Sequence, residues 1–325
     1  MVQVDDKASQ APRPESMTMT ETATSPADTR AAWLARLDEL AEDSGYFEPL
    51  GPRHWAFFAD EGTTLLVSFQ TLQELEARAP GDMPEVHRIA AAKGWSHLCL
   101  IADGETWFRD RRVWGYFDRL IDEGFFEDFD RVVFHGAGMG GYAACAFSVA
   151  APGASVLAVR PLASLAPSVA GWDRRYLRAR RLDFTSRFGY APDMLEGAGQ
   201  VVVIHDSAVP EDAMHAALFR RRHVLRLACR YLGPQPEAGL ADMALLEPLL
   251  TAAAEGRLTA REWARLWRAR RSYLPWLRNL SARLALGPAR GREEAFLRAA
   301  VARFPQAPRF RKRLDQLAAE KGSPA

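Results

Sequence analysis

Apolar residues along this chain fall into two rhythms. Short unbroken apolar runs alternate with stretches in which apolar positions recur every three to four residues. The runs read as strands: Trp55–Ala59, Thr64–Phe69, Ser96–Ala102, Arg131–His135, Ala154–Val159, Gln200–His205 and His223–Arg230. Between them, Gln70–Ala79, Pro84–Lys93, Arg111–Glu123 and Met139–Ala150 read as helices. In Arg111–Glu123, for example, Val113, Tyr116, Phe117 and Leu120 fall on one face. A first helix starts near Asp28 and carries Trp33, Leu34, Leu37 and Leu40 at helical spacing. Glu61-Gly62, between the first two runs, reads as a hairpin turn. Strands apolar on both faces, alternating with helices, predict an α/β domain with a doubly wound, mostly parallel sheet over 30–235.

The rhythm changes after residue 235. Thr259 followed by Glu262 is a capping-box pattern, and Trp263, Leu266 and Trp267 share the next helical face. Gly287-Pro288 and Pro305 break the pattern. Residues 236–325 therefore read as a small all-helical domain. Residues 1–29 are polar and Pro-, Ser- and Thr-rich, without the apolar core of a signal peptide, and read as a disordered leader. Val132–Val159 contains no charged residue, but its glycines and Pro152 rule out one continuous membrane helix. A cytoplasmic location follows as the expectation, with no membrane span.

Composition adds one fact that the pattern hides. Across 325 residues the net charge is +1, yet residues 251–325 hold 17 basic and 6 acidic residues, and the rest hold 25 and 35. The tail is thus +11 and the remainder −10, which predicts that the tail docks on its own acidic domain or on a protein partner. Trp263, Trp267 and Trp276 sit among the arginines at helical spacing and read as core, so no nucleic acid is expected. Cys99, Cys145 and Cys229 are too few and too scattered for a disulfide framework or a metal centre. No metal and no cofactor is implied.

The segment carrying chemistry is Arg131-Val-Val-Phe-His-Gly-Ala-Gly-Met-Gly-Gly-Tyr-Ala-Ala144, a strand running into a glycine-rich corner and then a helix. It resembles the nucleophile elbow of the α/β-hydrolase superfamily, G-x-S-x-G. The resemblance implies that superfamily's fold over residues 60–235. It places Gly138 at the nucleophile position and Asp206, after Gln200–His205, at the acid position. The triad's histidine belongs after the last strand, and no histidine occurs beyond His223. Two of the three triad roles are unfilled, so acyl-enzyme chemistry is not expected. The crevice itself is expected to survive as a ligand site built from Phe69, Gln70, His135, Ala137, Gly138, Met139 and Asp206, with amides near Met139 and Gln70 as an oxyanion hole.

Other readings of the glycines fit less well. Gly136, Gly138, Gly140 and Gly141 are out of register with G-x-G-x-x-G, and no P-loop motif occurs. The S-G-G-x-D-S loop and C-terminal cysteine of phosphoadenosine phosphosulfate reductases are both absent. The segment Arg160–Tyr176 is similar to one in hydrolase-like proteins encoded beside bacterial surface-glycan genes, and its Arg160, Trp172, Arg174 and Arg175 are candidates for the pocket mouth. The leading expectation is a non-catalytic protein that binds a small acyl or anionic ligand, or a protein partner, in surface-glycan metabolism. The alternative is an esterase-like hydrolase or acyl-transfer enzyme with a non-standard site that uses water near Asp206.

Overall fold

A computed structural model describes residues 26–42, 44–78, 82–288 and 290–322. Most of the expected leader lies outside them. The strands are β1 Gly45–Pro49, β2 His54–Ala59, β3 Thr64–Thr71, β4 Ser96–Ala102, β5 Arg131–Ala137, β6 Ser155–Val159, β7 Gln200–His205 and β8 Val224–Ala228. The helices of the first part are α1 Pro26–Glu42, α2 Leu72–Glu76, α3 Glu85–Lys93, α4 Arg111–Asp122, α5 Met139–Phe147, α6 Pro167–Ala170 and α7 Pro210–Leu218. Six more follow the sheet: α8 Pro236–Asp242, α9 Leu246–Ala254, α10 Ala260–Leu266, α11 Leu274–Ala285, α12 Arg290–Arg303 and α13 Pro308–Gly322.

The eight strands form one sheet in the order β1-β2-β4-β3-β5-β6-β7-β8. From β4 through β8 neighbours run parallel, and β2 is antiparallel to both β1 and β4. This is the mostly parallel α/β class the pattern predicts. Alternate residues of each central strand feed opposite layers, because side chains on a strand alternate in direction. Val156 and Ala158 join Phe117, Tyr142 and Phe147 under α4 and α5. Leu157 joins Val202, Leu249 and Leu250 under α9. Local signals set the helix ends: Asp110 caps α4 through the Arg112 amide at 2.8 Å, and left-handed Gly94 closes α3.

Three features depart from the sequence pattern. Glu61-Gly62 does not make a hairpin, because β4 lies between β2 and β3; the two amides instead donate to Ser96 Oγ at 3.0 Å each. Strand β1 was not foreseen, since its GYFEP sequence is half-exposed and ends in proline, as edge strands can. The core also does not divide at residue 235. Leu240, Leu246, Leu249, Leu250 and Trp263 pack in the same cluster as Val133 and Val202, so α8–α10 belong to the layers covering the sheet.

Helices α11–α13 have their own core around Leu277, Leu297, Phe310 and Leu317. They dock on the β8 loop through neutral hydrogen bonds, with Trp276 Nε1 donating to Arg230 O at 2.8 Å and Asn279 Nδ2 to Tyr231 O at 3.0 Å. Among the described residues, the ion pairs of the basic tail stay within it, as in Arg313–Glu293, Arg290–Glu293 and Arg298–Glu294. No helix among the described residues is long and apolar enough to cross a membrane.

Candidate ligand site at the strand-to-helix elbow

Strand β5 ends at Ala137 and α5 begins at Met139, so one residue turns the chain. Gly138 makes that turn at φ 55°, ψ −115°, a conformation that strains any residue with a Cβ. Its N–H donates to Val159 O at 2.9 Å and its carbonyl accepts from Tyr142 N at 3.0 Å. The flanking glycines are needed because helix and strand touch backbone to backbone. A Cβ on Gly136 would lie 2.3 Å from the Gly140 carbonyl, and one on Gly140 would lie 2.4 Å from Phe69 O. A sharp elbow on the central strand of a mostly parallel sheet is now in place. The domain is a mostly parallel α/β sheet with flanking helices, like that of α/β-hydrolases.

No family model and no curated protein matches this sequence. Solved structures do. The chain is similar to the capsule O-acetyltransferase of Neisseria meningitidis serogroup A at 9% identity, over 66% of this chain and 98% of that one, with a TM-score of 0.42. It is similar to a putative thioesterase from Silicibacter sp. TM1040 at 16% identity, over 73% and 95%, with a TM-score of 0.41. It is also similar to brefeldin A esterase, a bacterial homologue of human hormone-sensitive lipase, at 15% identity, over 76% and 89%, with a TM-score of 0.41.

At this elbow the space beside Gly138 is filled from the side. A Cβ on Gly138 would lie 2.8 Å from Nη2 of Arg160, the residue after β6. Arg160 itself has a left-handed backbone, φ 51°, pinned where its N–H donates to Ile204 O at 2.7 Å. Its Nη2 donates to Glu237 Oε1 at 2.8 Å and its Nη1 to Tyr176 Oη at 3.2 Å. Burial disfavours the charge on Arg160, but Glu237 more than restores it, so the guanidinium stays protonated. Glu237 lies in the first turn of α8, just beyond the β8 loop.

A cavity of about 340 Å³ opens above this pair, within the range of small-molecule sites. Of the expected ligand residues, Phe69, Gln70, Ala137 and Met139 line it. Gly138 lies directly beneath Arg160. Amides in the first turn of α5 have no intrahelical acceptor, whereas Thr71 N, at the end of β3, already donates to Glu74 Oε2 at 2.8 Å.

Two expected residues lie elsewhere. His135 is buried inside the sheet, its Nδ1–H donating to Leu157 O at 2.8 Å, and burial pushes its pKa down to about 4. It stays neutral at physiological pH. Asp206 is 1% exposed and binds backbone: Oδ1 accepts from Ala208 N at 2.8 Å and Tyr231 N at 3.0 Å, and Oδ2 from Gly233 N at 2.7 Å. Asp206 orders the β8 loop and borders no part of the cavity wall.

Sequence reasoning missed Trp107 and Glu237, which line the cavity with Arg160 and Tyr176. Trp107 and Phe108 are both left-handed at φ 54°, and two consecutive non-glycine residues in that state leave no periodic signal. It also missed a buried His–Asp pair. His215 Nδ1 accepts from Ala163 N at 3.2 Å, so Nε2 carries the proton and donates to Asp173 Oδ2 at 3.1 Å. Arg175 bridges Asp173 and Asp212, and Trp172 packs on the His215 ring. This cluster clamps the crossover after β6. His215 has no lone pair left to act as a base, and Trp172 and Arg175 are engaged there rather than at the cavity mouth.

Proposed function

We propose that this protein is a non-catalytic member of the α/β-hydrolase fold that binds a small ligand in the elbow crevice. The observation that carries it is Arg160: its guanidinium stands where a nucleophilic side chain would project, tied to Glu237 beneath an open cavity. A site with a cavity and no nucleophile holds a ligand without forming an acyl-enzyme. The setting we propose is bacterial surface-glycan metabolism, on the similarity of Arg160–Tyr176. The exposed arginines Arg268, Arg271 and Arg278 offer a second surface, for an acidic protein partner.

The esterase-like alternative needs a base that can reach water at the elbow. Asp206 would have to release the three amides that now occupy it. The test pairs reactivity with binding. The wild-type protein is expected to remain unlabelled by a fluorophosphonate probe and silent on ester, thioester and phosphoester panels. In ligand-observed NMR, small polar molecules are expected to bind, and Arg160→Met to abolish that binding. Stoichiometric labelling of the wild type would overturn the reading.

A further inference from the structure

Two surfaces of the molecule carry charge where the local backbone disfavours it. A helix favours acids in its first turn and bases in its last. Helix α13 opens Pro308-Arg-Phe-Arg-Lys-Arg313, with four cations and no acid in its first turn. Arg313 pairs with Glu293 and Glu320. Arg309, Arg311 and Lys312 are exposed and have no ion-pair partner among the described residues. Phe310, Leu314 and Leu317 pack into the core of the α11–α13 unit, so these three cations stand outward.

Helix α4 shows the reverse. It ends on Asp122 with Glu123 as its cap, and Arg119, the base of its last turn, is taken by Glu48. The chain then runs through Glu127, Asp128 and Asp130. These five carboxylates are exposed, and none has an ion-pair partner among the described residues. They border a groove of about 860 Å³ at the amino ends of β5, β6 and β7, whose wall includes Glu127, Asp130, Ile121, Phe129 and Val132. Arg131 is the only cation lining it. Ile121 is 41% exposed, and apolar surface rimmed by charge marks an interaction site. No residue of α11–α13 lines this groove, and that unit is anchored at the opposite end of the sheet, on Arg230 and Tyr231 beyond β8.

We propose that each of these surfaces docks on the other in a second copy of this chain. The first turn of α13 lies on the groove, with Arg309, Arg311 and Lys312 facing Glu127, Asp128 and Asp130. The aliphatic stems of the arginines cover Ile121 and Phe129. The incoming carboxylates offset the dipole at the start of α13, and the incoming cations offset the one at the end of α4. Charges set against local preference at two places are thereby accounted for by one partner. An unrelated acidic protein answers only α13, and a basic peptide answers only the groove. The exchange is reciprocal, one α13 and one groove from each copy, so it closes as a two-fold dimer. It is independent of the cavity at the elbow.

Sedimentation velocity on the full chain tests this. The wild type is expected to dimerise at low salt, and added salt to weaken the dimer about tenfold or more by screening exposed charges. One variant reverses the helix, Arg309→Glu with Arg311→Glu and Lys312→Glu. The other reverses the groove, Glu127→Lys with Asp128→Lys and Asp130→Lys. All six positions are exposed, so both variants are expected to fold, as circular dichroism checks. Each alone is expected to be monomeric. Mixed together they are expected to form a heterodimer, because each reversed patch then meets its opposite on the other chain. A wild type that stays monomeric at every concentration overturns the proposal; if it binds polyglutamate through α13, that surface belongs to an unrelated acidic protein. Variants that dimerise alone as the wild type does, or that stay monomeric when mixed, overturn it as well. Growth beyond a dimer overturns the reciprocal closure.

Discussion

Adding one carbon at the elbow probes the site most sharply. Gly138→Ala places a Cβ at φ 55°, ψ −115°, 2.8 Å from Arg160 Nη2. The backbone term is about 1–3 kcal/mol for a non-glycine residue in a sparsely populated region. The guanidinium must also move and loosen its pair with Glu237, which is partly exposed and so contributes no more than about 1 kcal/mol. The sum is about 1–4 kcal/mol. At about 2–4 °C per kcal/mol for a chain of this size class, thermal unfolding should fall by roughly 2–16 °C. Differential scanning calorimetry measures this directly. A double-mutant cycle with Arg160→Met separates the two terms, because in that background only the backbone cost remains. Gly138→Ser should lose similar stability and still resist the fluorophosphonate probe, since neither His135 nor His215 lines the cavity at the elbow. An unchanged or raised melting temperature for Gly138→Ala would refute the claim that Arg160 is pressed against a strained turn. Rapid labelling of Gly138→Ser would refute the claim that the site lacks a base.

Further outcomes follow from the polar contacts. Asp206→Ala strips three backbone amides of their acceptor and should destabilise the fold by about 3 kcal/mol or more, with faster hydrogen exchange at Tyr231 and Gly233; unchanged exchange there would contradict the loop-ordering role. His54 and His135 have pKa values pushed by burial to about 4, below the unfolded value near 6.5. The unfolded chain therefore binds more protons between those limits, and stability should fall as pH drops from about 6.5 to about 4, by about 3 kcal/mol per histidine. Urea midpoints across that window should show the slope, and His135→Leu should flatten it. Glu293 is buried between Arg290 and Arg313 in the α11–α13 unit, and Glu293→Ala should cost about 2–3 kcal/mol, read as early loss of protection in those helices. Charge reversal at Arg268 and Arg271 should leave the melting temperature within about 1 °C, because exposed cations contribute little to stability.

The parts of this molecule visible in its sequence are those set by local pattern. Seven of the eight strands and the glycine elbow showed themselves because buried parallel strands are unbroken apolar runs and because tight strand–helix contact at Gly136 and Gly140 admits no side chain. The insertion of β4 between β2 and β3 was not visible, since which strands pair depends on chain-distant contacts that leave no mark in either run. The cavity wall was half visible. Phe69, Gln70, Ala137 and Met139 follow from the elbow, and Arg160 stood out as a charge after an apolar strand. Glu237 was hidden because it arrives from 77 residues away as an ordinary first-turn acid of a helix. Asp206 shows that a residue singled out by resemblance can serve the fold instead. Its carboxylate joins the β7 and β8 loops through backbone amides.

The central claim is that the crevice above Gly138 is a working receptor. A high-resolution crystal structure of the protein purified without added ligand examines it at the place itself. The account predicts discrete density for a small molecule in the cavity lined by Phe69, Gln70, Met139 and Arg160, with the Arg160–Glu237 pair intact. A crevice closed by the protein's own side chains, with Tyr176 or Trp107 rotated into the space, would contradict it.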